Sequence, residues 1–402
     1  MKISYNWLKQ YVSTELEPKE VAEILTETGL EVDGIQKIES VKGGLSGVVI
    51  GQVLTCEKHP DADKLQVTTV NIGNEVVQIV CGAPNVASGQ KVVVATVGCV
   101  LHPKPEESFK IKLSKIRGIE SHGMICAEDE LGMGESHDGI LVLPEDAEIG
   151  LPASVYFELE DDFQIEIGLT PNRSDALGHI GVARDLLAYL KFHKGSDLEL
   201  NWPEIKPLEI KSDELTVPIK IEEPELCNRY IGTSIKNVKV QASPAWLQKR
   251  LKVIGLNPIN NIVDCTNYVM HELGTPLHAF DYNFVQKGVV VKHAKQGAKF
   301  TTLDDVERQL TDANLMITSD DENLAIAGVM GGQNSGIKDD TTCVFLESAY
   351  FNPVSVRKTA KSQGLNTDAS FRYERGVDPN LTKYSIERLA NLIQEVAGGE
   401  VA

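Results

Sequence analysis

A multidomain α+β fold is what the sequence predicts, with a small β-rich module inserted into a small α+β domain and a larger mixed α+β domain behind it. Length allows this: 402 residues, 42% of them hydrophobic, are enough for two to four separate cores. Texture divides the chain, because short β-rich runs split by turns fill positions 41–150 while helical spacing governs the stretches on either side. A polar segment at 196–211, carrying Pro203 and Pro207, reads as a linker into a last stretch, 212–400, where helical and strand-like patterns mix.

The first domain is expected from 1–40 together with 151–195. Ile3, Tyr5, Trp7 and Leu8 open the chain, and Val21, Ile24 and Leu25 recur at helical spacing until Gly29 closes the helix. Leu30, Val32 and Ile35 then suggest a strand. This piece is too short to fold alone. Its completion is expected after the loop Thr170-Pro171-Asn172-Arg173-Ser174-Asp175, where Leu177, Ile180, Ala183, Leu186, Leu187 and Leu190 share one helical face. His179-Ile180-Gly181 invites comparison with the nucleotide-binding signature of class I synthetases. Val182 stands where a second histidine belongs, however, and the segment is expected in mid-helix.

Between 41 and 150, the runs 47–54, 65–72, 76–80, 91–97, 109–113 and 140–143 read as strands, which points to a small barrel or sandwich. Three landmarks are more specific: His59-Pro60-Asp61-Ala62-Asp63-Lys64-Leu65, Ile79-Val80-Cys81-Gly82-Ala83-Pro84-Asn85 and Ser121-His122-Gly123-Met124-Ile125-Cys126. Together they resemble the tRNA-binding OB-fold module appended to several tRNA synthetases. Phe109, Ile111 and Leu113 alternate with Lys110 and Lys112, so one strand face is expected to be apolar and the other basic, with Lys115 and Arg117 extending the basic side. A phosphate-tracking groove and an ordinary solvated face both fit that pattern. His59 with Asp61 and Asp63 fits a turn beside Pro60 better than a metal site.

Composition excludes some classes. A net charge of −19 rules out an all-over basic coat for nucleic acid, so any phosphate binding must be local. The seven cysteines are scattered, with no Cys-x-x-Cys pair and no histidines at ligand spacing, and are expected as reduced core thiols with no metal site. No apolar run is long enough for a bilayer, and Met1-Lys2-Ile3-Ser4-Tyr5-Asn6-Trp7 lacks the features of a signal peptide. A soluble, cytoplasmic protein with no membrane partner is expected.

The last domain, 212–400, carries the residues suited to chemistry. Ser243 is expected to cap a helix with Pro244 in first position, a stripe of Trp246, Leu247, Leu251 and Ile254, and Gly255 as its stop. A second helix at 262–273 ends at Gly274-Thr275-Pro276, and His278 follows, a residue type that fits a satisfied core as well as a site. Strand-like runs come at 288–292, 324–329 and 343–346. Gly328-Val329-Met330-Gly331-Gly332 lacks the ending of a triphosphate loop, and its paired glycines allow either a tight turn or a close backbone approach to a ligand. The apolar run Val344, Phe345, Leu346 is expected to end at a lone acid, Glu347. Beyond it, Asn352, Pro353 and Gly364 frame a helix carrying Arg357, Lys358 and Lys361. Thr367-Asp368-Ala369-Ser370 is expected as a loop before a short helix with Arg372 and Arg375.

The stretches 260–281, 328–332 and 347–379 resemble, in order, the editing region of bacterial phenylalanyl-tRNA synthetase β subunits, and the resemblance runs the length of the chain. Such subunits are about twice as long, so the chain is similar to an N-terminal half. The resemblance implies an OB-fold barrel at 41–150, a linker at 196–211 and a B3/B4-type editing domain at 212–400. It implies a role in phenylalanine–tRNA ligation: tRNA binding and hydrolysis of tyrosine wrongly attached to the phenylalanine tRNA. Carried over by position, Glu347 would accept the hydrogen bond of the phenol, with His278, Gly331, Thr367 and Ala369 shaping the pocket. Aminoacylation would lie on the α subunit, in an α2β2 heterotetramer, so no residue here is expected in the synthetic site. ATP and magnesium would belong to the holoenzyme, with no cofactor bound by this chain. Two other functions remain open at this point: a non-catalytic tRNA-binding scaffold, and a free-standing editing hydrolase.

Overall fold

The computed structural model describes residues 1–104, 106–134, 136–210 and 212–402. Position 211, at the end of the expected linker, lies outside the described residues, as do 105 and 135 within the expected barrel module. The chain divides into two compact units, Lys37–Asp162 and Met1–Gln36 with Phe163–Ala402. Among the described residues no helix is long and apolar enough to cross a membrane.

In the Lys37–Asp162 unit, the long strand Val48–Lys58 lies between Lys91–Thr96 and Gln66–Asn71, and Val76–Cys81 continues the sheet beyond Gln66–Asn71. Gly51 allows the tight curl this needs, because a Cβ there would stand 2.9 Å from both Val70 and Val94. The segment at 121–125 brings the sheet round on itself. Gly123–Ile125 pairs with Lys91–Thr96, while His122 N–H donates to the Gln78 carbonyl (2.8 Å) and Ser121 Oγ accepts from Val80 N–H (3.1 Å). The result is a nearly closed barrel, and alternating Val48, Ile50, Val93 and Ala95 fill one of its cores.

One expectation here needs correction, and the turn expected at His59 is present. The run 109–113 is not one strand: Glu107–Lys110 pairs with Val100–Lys104, Ile111 still exchanges backbone bonds with Gly98 and Cys99, and the strand ends before Lys112. The clean apolar face therefore does not form, since Ile111 is buried while Phe109 and Leu113 are exposed. His59 is held in a turn, its Nδ1 accepting from Asp61 N–H at 3.0 Å and its Nε2 lying 3.2 Å from the Ile116 carbonyl.

In the other unit, Lys2–Ser4, Asp162–Ile167 and Val32–Ile38 form a three-stranded sheet, with the helices Pro18–Glu27 and His179–Lys194 near it. His179-Ile180-Gly181 stands at the start of its helix, not in the middle, with Gly178 as the N-cap. His179 is a core residue: it accepts from Ser4 N–H (3.0 Å) and bonds the His271 carbonyl (2.8 Å). The expected first and last domains share one hydrophobic core, in which Trp7, Leu25 and Leu186 cluster with Ile262, Val269, Leu346 and Leu389. The connecting segment 196–211 carries no helix or strand among its described residues.

A four-stranded sheet organises the rest, in the order Leu277–Asp281, Cys343–Tyr350, Arg229–Lys236, Glu400–Val401. Strand alternation splits it cleanly. Val344 and Leu346 point into the core shared with the helices Asn261–Leu273 and Leu381–Ala397, whereas Phe345 and Ala349 point into a second core with Tyr230, Phe280 and Phe351. That second core is backed by a further sheet, Ile219–Ile221, Val289–His293, Leu315–Ser319, Glu322–Ile326 and Met330–Gly331.

The helix ends follow local chemistry. Asn260 accepts from Ile262 and Val263 N–H to start one helix, which Gly274 ends in the left-handed region at φ +81°. Asn352 does the same for Pro353–Gln363, closed by Gly364. Ser243 does not cap: Pro244 takes the N-cap position, and the serine hydroxyl is committed to the buried carboxylate of Asp264 at 2.5 Å. The long helix Leu381–Ala397 has no counterpart among the expected elements.

Candidate functional site

A cavity of about 550 Å³ lies within the Met1–Gln36 and Phe163–Ala402 unit, lined by the strands Leu277–Asp281, Glu322–Ile326, Met330–Gly331 and Cys343–Tyr350, by the helix Asn261–Leu273 and by the helix start after Thr367. Glu347 lies in the interior of Cys343–Tyr350, not at a strand end, because small residues Ser348 and Ala349 continue the pairing on both sides. It occupies the face of Phe345 and Ala349. Its direct neighbours across the ladders are His278 on one side and Gly232 on the other. Gly232 leaves room for the ring of Phe345, which a Cβ would approach to 2.2 Å.

The carboxyl of Glu347 is buried, with 7% of the residue exposed, and it lines the cavity. Tyr230 Oη donates to its Oε2 at 2.5 Å. Burial pushes the Glu347 pKa up to about 7, and the bond from Tyr230 works in the opposite direction. His278 is half-buried, but its Nε2 is wholly buried with no hydrogen-bond partner. Burial pulls this histidine down to about 4, so it is neutral across the physiological range. Its ring meets Phe280 edge-on at 4.4 Å.

Gly331 closes one wall. A Cβ on it would lie 2.7 Å from the His278 ring and 3.0 Å from Leu303, so the backbone approaches the histidine as no other residue could. The opposite wall is the start of a helix, not the expected loop: Asp368–Tyr373 begins directly after Thr367, which forms a capping box with Ser370. The Thr367 hydroxyl also donates to the Val329 carbonyl at 2.8 Å, tying this wall to the Gly328 turn. Ala369, half-buried on the first turn, lines the cavity with little bulk. The structure thus brings His278, Gly331, Glu347, Thr367 and Ala369 to one place.

Behind the wall stands Arg372, fully buried. Its guanidinium donates to the Leu177 carbonyl (3.2 Å), the Asp368 carboxylate (3.0 Å) and His271 Nδ1 (3.1 Å). It is therefore an anchor for the helix start and not a free phosphate contact.

In the Lys37–Asp162 unit a groove of about 610 Å³ is lined by Lys110 and Lys112 beside Phe109, Ile111 and the 80–84 segment. Lys115 lies outside it on Ser114–Ile116, and Arg117 sits in the following turn with φ +48°. All four cationic side chains are exposed.

A family model described as a putative tRNA binding domain matches residues 48–152, and one described as a B3/4 domain matches 226–398. The beta subunit of phenylalanine–tRNA ligase from Bacteroides fragilis is 54% identical over the whole chain. The chain belongs to the phenylalanine–tRNA ligase beta-subunit family. Beta subunits from Geobacillus kaustophilus and Pectobacterium atrosepticum are 48% and 45% identical, each again over 100% of this chain and 49% of the relative. The chain thus spans about half the length of the curated relatives it matches.

Within this beta-subunit fold, sequence reasoning overlooked Tyr230. The signal was present as a β-rich run from Arg229 to Lys236, but nothing local announces that its tyrosine meets an acid 117 positions away.

Proposed function

We propose that the cavity around Glu347 hydrolyses tyrosine wrongly esterified to the phenylalanine tRNA, and that the 37–162 barrel helps to hold that tRNA. The observation that carries this reading is a buried carboxyl, open to a cavity, with its Oε1 unclaimed by any donor among the described residues. A tyrosine side chain satisfies it with its phenol O–H. Phenylalanine leaves it desolvated and unpaired, at a cost of about 1–3 kcal/mol. Ala369 and Gly331 leave space for the ring.

Among the described residues the cavity has no serine or cysteine nucleophile paired with a base: the Thr367 hydroxyl is committed to Val329, and His278 meets the cavity as a neutral ring. In the proposed reaction a water oxygen adds to the ester carbonyl, the bond to the ribose oxygen breaks, and that oxygen takes up a proton. Free tyrosine and tRNA leave. The contribution of this chain is positioning and selection. Aminoacylation, with its ATP and magnesium, is assigned to a partner α subunit in a heterotetramer, in the cytoplasm.

The test is deacylation of tyrosyl-tRNA carrying the phenylalanine anticodon by the full-length assembled enzyme. Glu347→Ala is expected to remove the preference for tyrosine over phenylalanine ester, and unchanged clearance of tyrosine would overturn the assignment.

A further inference from the structure

We propose that Tyr230 is a specificity-determining residue: its hydroxyl occupies Glu347 Oε2, so that Oε1 alone meets the ligand, and any proton the carboxyl takes up resides on Oε1. The inference rests on the proposed reading of the cavity as a tyrosine selector and assigns a residue to it.

The geometry is specific. Tyr230 and Glu347 lie on adjacent antiparallel strands, where Tyr230 pairs with Ala349 and Gly232 with Glu347, so the phenol reaches diagonally along one face to the carboxyl. Both side chains are buried, and the bond spans 2.5 Å. Burial and the adjacent carboxylate push the Tyr230 phenol well above its ordinary pKa, so it keeps its proton across the neutral range. A phenol donating to Oε2 makes that oxygen the less basic of the two, so the acid proton favours Oε1.

Two forms of the site follow. Ionised, Glu347 presents Oε1 as a bare acceptor that a tyrosine phenol satisfies and a phenylalanine ring does not. Protonated, it presents an O–H, the penalty against phenylalanine shrinks, and discrimination fades. Glu347 changes form near pH 7. Three neighbours do not titrate there: burial pushes the Cys227 thiol up to about 12 and the Tyr373 phenol well above its usual value, and pulls His278 down to about 4. Asp368 and Lys338 also line the cavity, but Asp368 is paired with Arg372, Lys338 lies over the Phe284 ring, and neither forms an ion pair with Glu347 among the described residues.

The experiment measures kcat/KM for tyrosyl and phenylalanyl esters of the same tRNA from pH 5.5 to about 8.5 in the full-length assembled enzyme, corrected for spontaneous hydrolysis. In the unaltered enzyme the tyrosine preference is expected to rise through about pH 7, following the carboxyl. Tyr230→Phe is expected to move that midpoint upward by about one pH unit, the scale of a charge-assisted hydrogen bond, and to lower the preference at neutral pH about tenfold. Replacing Tyr230 with 3-fluorotyrosine, a stronger donor of nearly the same size, is expected to move the midpoint down, which keeps the test alive if the phenylalanine variant folds poorly. Equal losses on both esters with an unmoved midpoint would mark Tyr230 as structural and overturn the inference, as would a wild-type profile in either variant. Glu347→Gln separates the two levels. If it loses the preference while Tyr230→Phe retains it, only the role of Tyr230 falls; if it matches the unaltered enzyme, the selector reading itself falls.

Discussion

His278 and Glu347 stand directly opposite one another on neighbouring antiparallel strands, yet burial drives their titrations in the order reverse to that of free side chains, the histidine to about 4 and the acid to about 7. The two do not form an ion pair among the described contacts. Above pH 7 the pair is a carboxylate beside a neutral imidazole, and between about 4 and 7 both are uncharged.

The histidine half of this pair predicts acid sensitivity. The folded pKa of His278, about 4, lies below its ordinary 6.5, so the unfolded chain takes up the proton first as pH falls. Its stabilising contribution is complete above pH 6.5 and is lost between 6.5 and 4, by up to about 3 kcal/mol. Denaturant unfolding across that window is expected to show His278→Gln with a shallower loss than the unaltered protein.

The acid half predicts the opposite sign. The folded pKa of Glu347 lies above its ordinary 4.5, so the folded state holds the proton longer and stability falls as pH rises from 4.5 to about 7. Glu347→Gln is therefore expected to be more stable than the unaltered chain at pH 8, by about 1–3 kcal/mol, and to show no gain at pH 4. The same variant is expected to lose tyrosine selection, so the measurement separates a group kept for function from one kept for stability.

Gly331 predicts a steric limit. Gly331→Ala brings a methyl to 2.7 Å from the half-buried His278 ring and 3.0 Å from Leu303, so the strand or the ring must shift. A stability loss of about 1–3 kcal/mol is expected from overpacking, with a larger fall in tyrosine clearance because His278 and Glu347 are coupled by their pairing. Unfolding and deacylation, measured on one preparation, check whether activity falls further than the folded fraction.

Where an element is set by its own ends, it was legible in the sequence. Gly274, and Asn352 with Pro353 and Gly364, marked the ends of helices that the structure places within a residue, since caps and left-handed glycines act locally. The convergence of His278, Gly331, Glu347, Thr367 and Ala369 came from a family resemblance, not from spacing. What was not legible depends on partners distant in sequence. Glu347 looked like a strand end because apolarity stops there, but pairing with Arg229–Lys236 and Leu277–Asp281 carries the strand on through Tyr350. The burial of Arg372 was not legible because only the fold supplies the Leu177 carbonyl and His271 that receive it. The expected division at 196–211 likewise rested on composition, which cannot reveal that Leu186 and Leu389 share a core.

The basic segment of the barrel yields the last prediction. Lys110 and Lys112 line a groove beside the exposed ring of Phe109, whereas Lys115 and Arg117, on and just after the strand Ser114–Ile116, are not among its lining residues. If the groove tracks phosphates while Phe109 offers a face to a base, Lys110→Ala and Lys112→Ala each remove one phosphate contact. The slope of log affinity for tRNA against log salt is then expected to become shallower by about one unit per lysine. Phe109→Ala is expected to weaken binding by about 1–3 kcal/mol without changing that slope, because stacking releases no counterions. Titrations of tRNA at several salt concentrations distinguish the two, and equal slopes for all the variants would return Lys110 and Lys112 to the status of a solvated face. The net charge of −19 makes the contrast sharper, since a chain this acidic has little diffuse attraction for tRNA to mask the loss of two local cations.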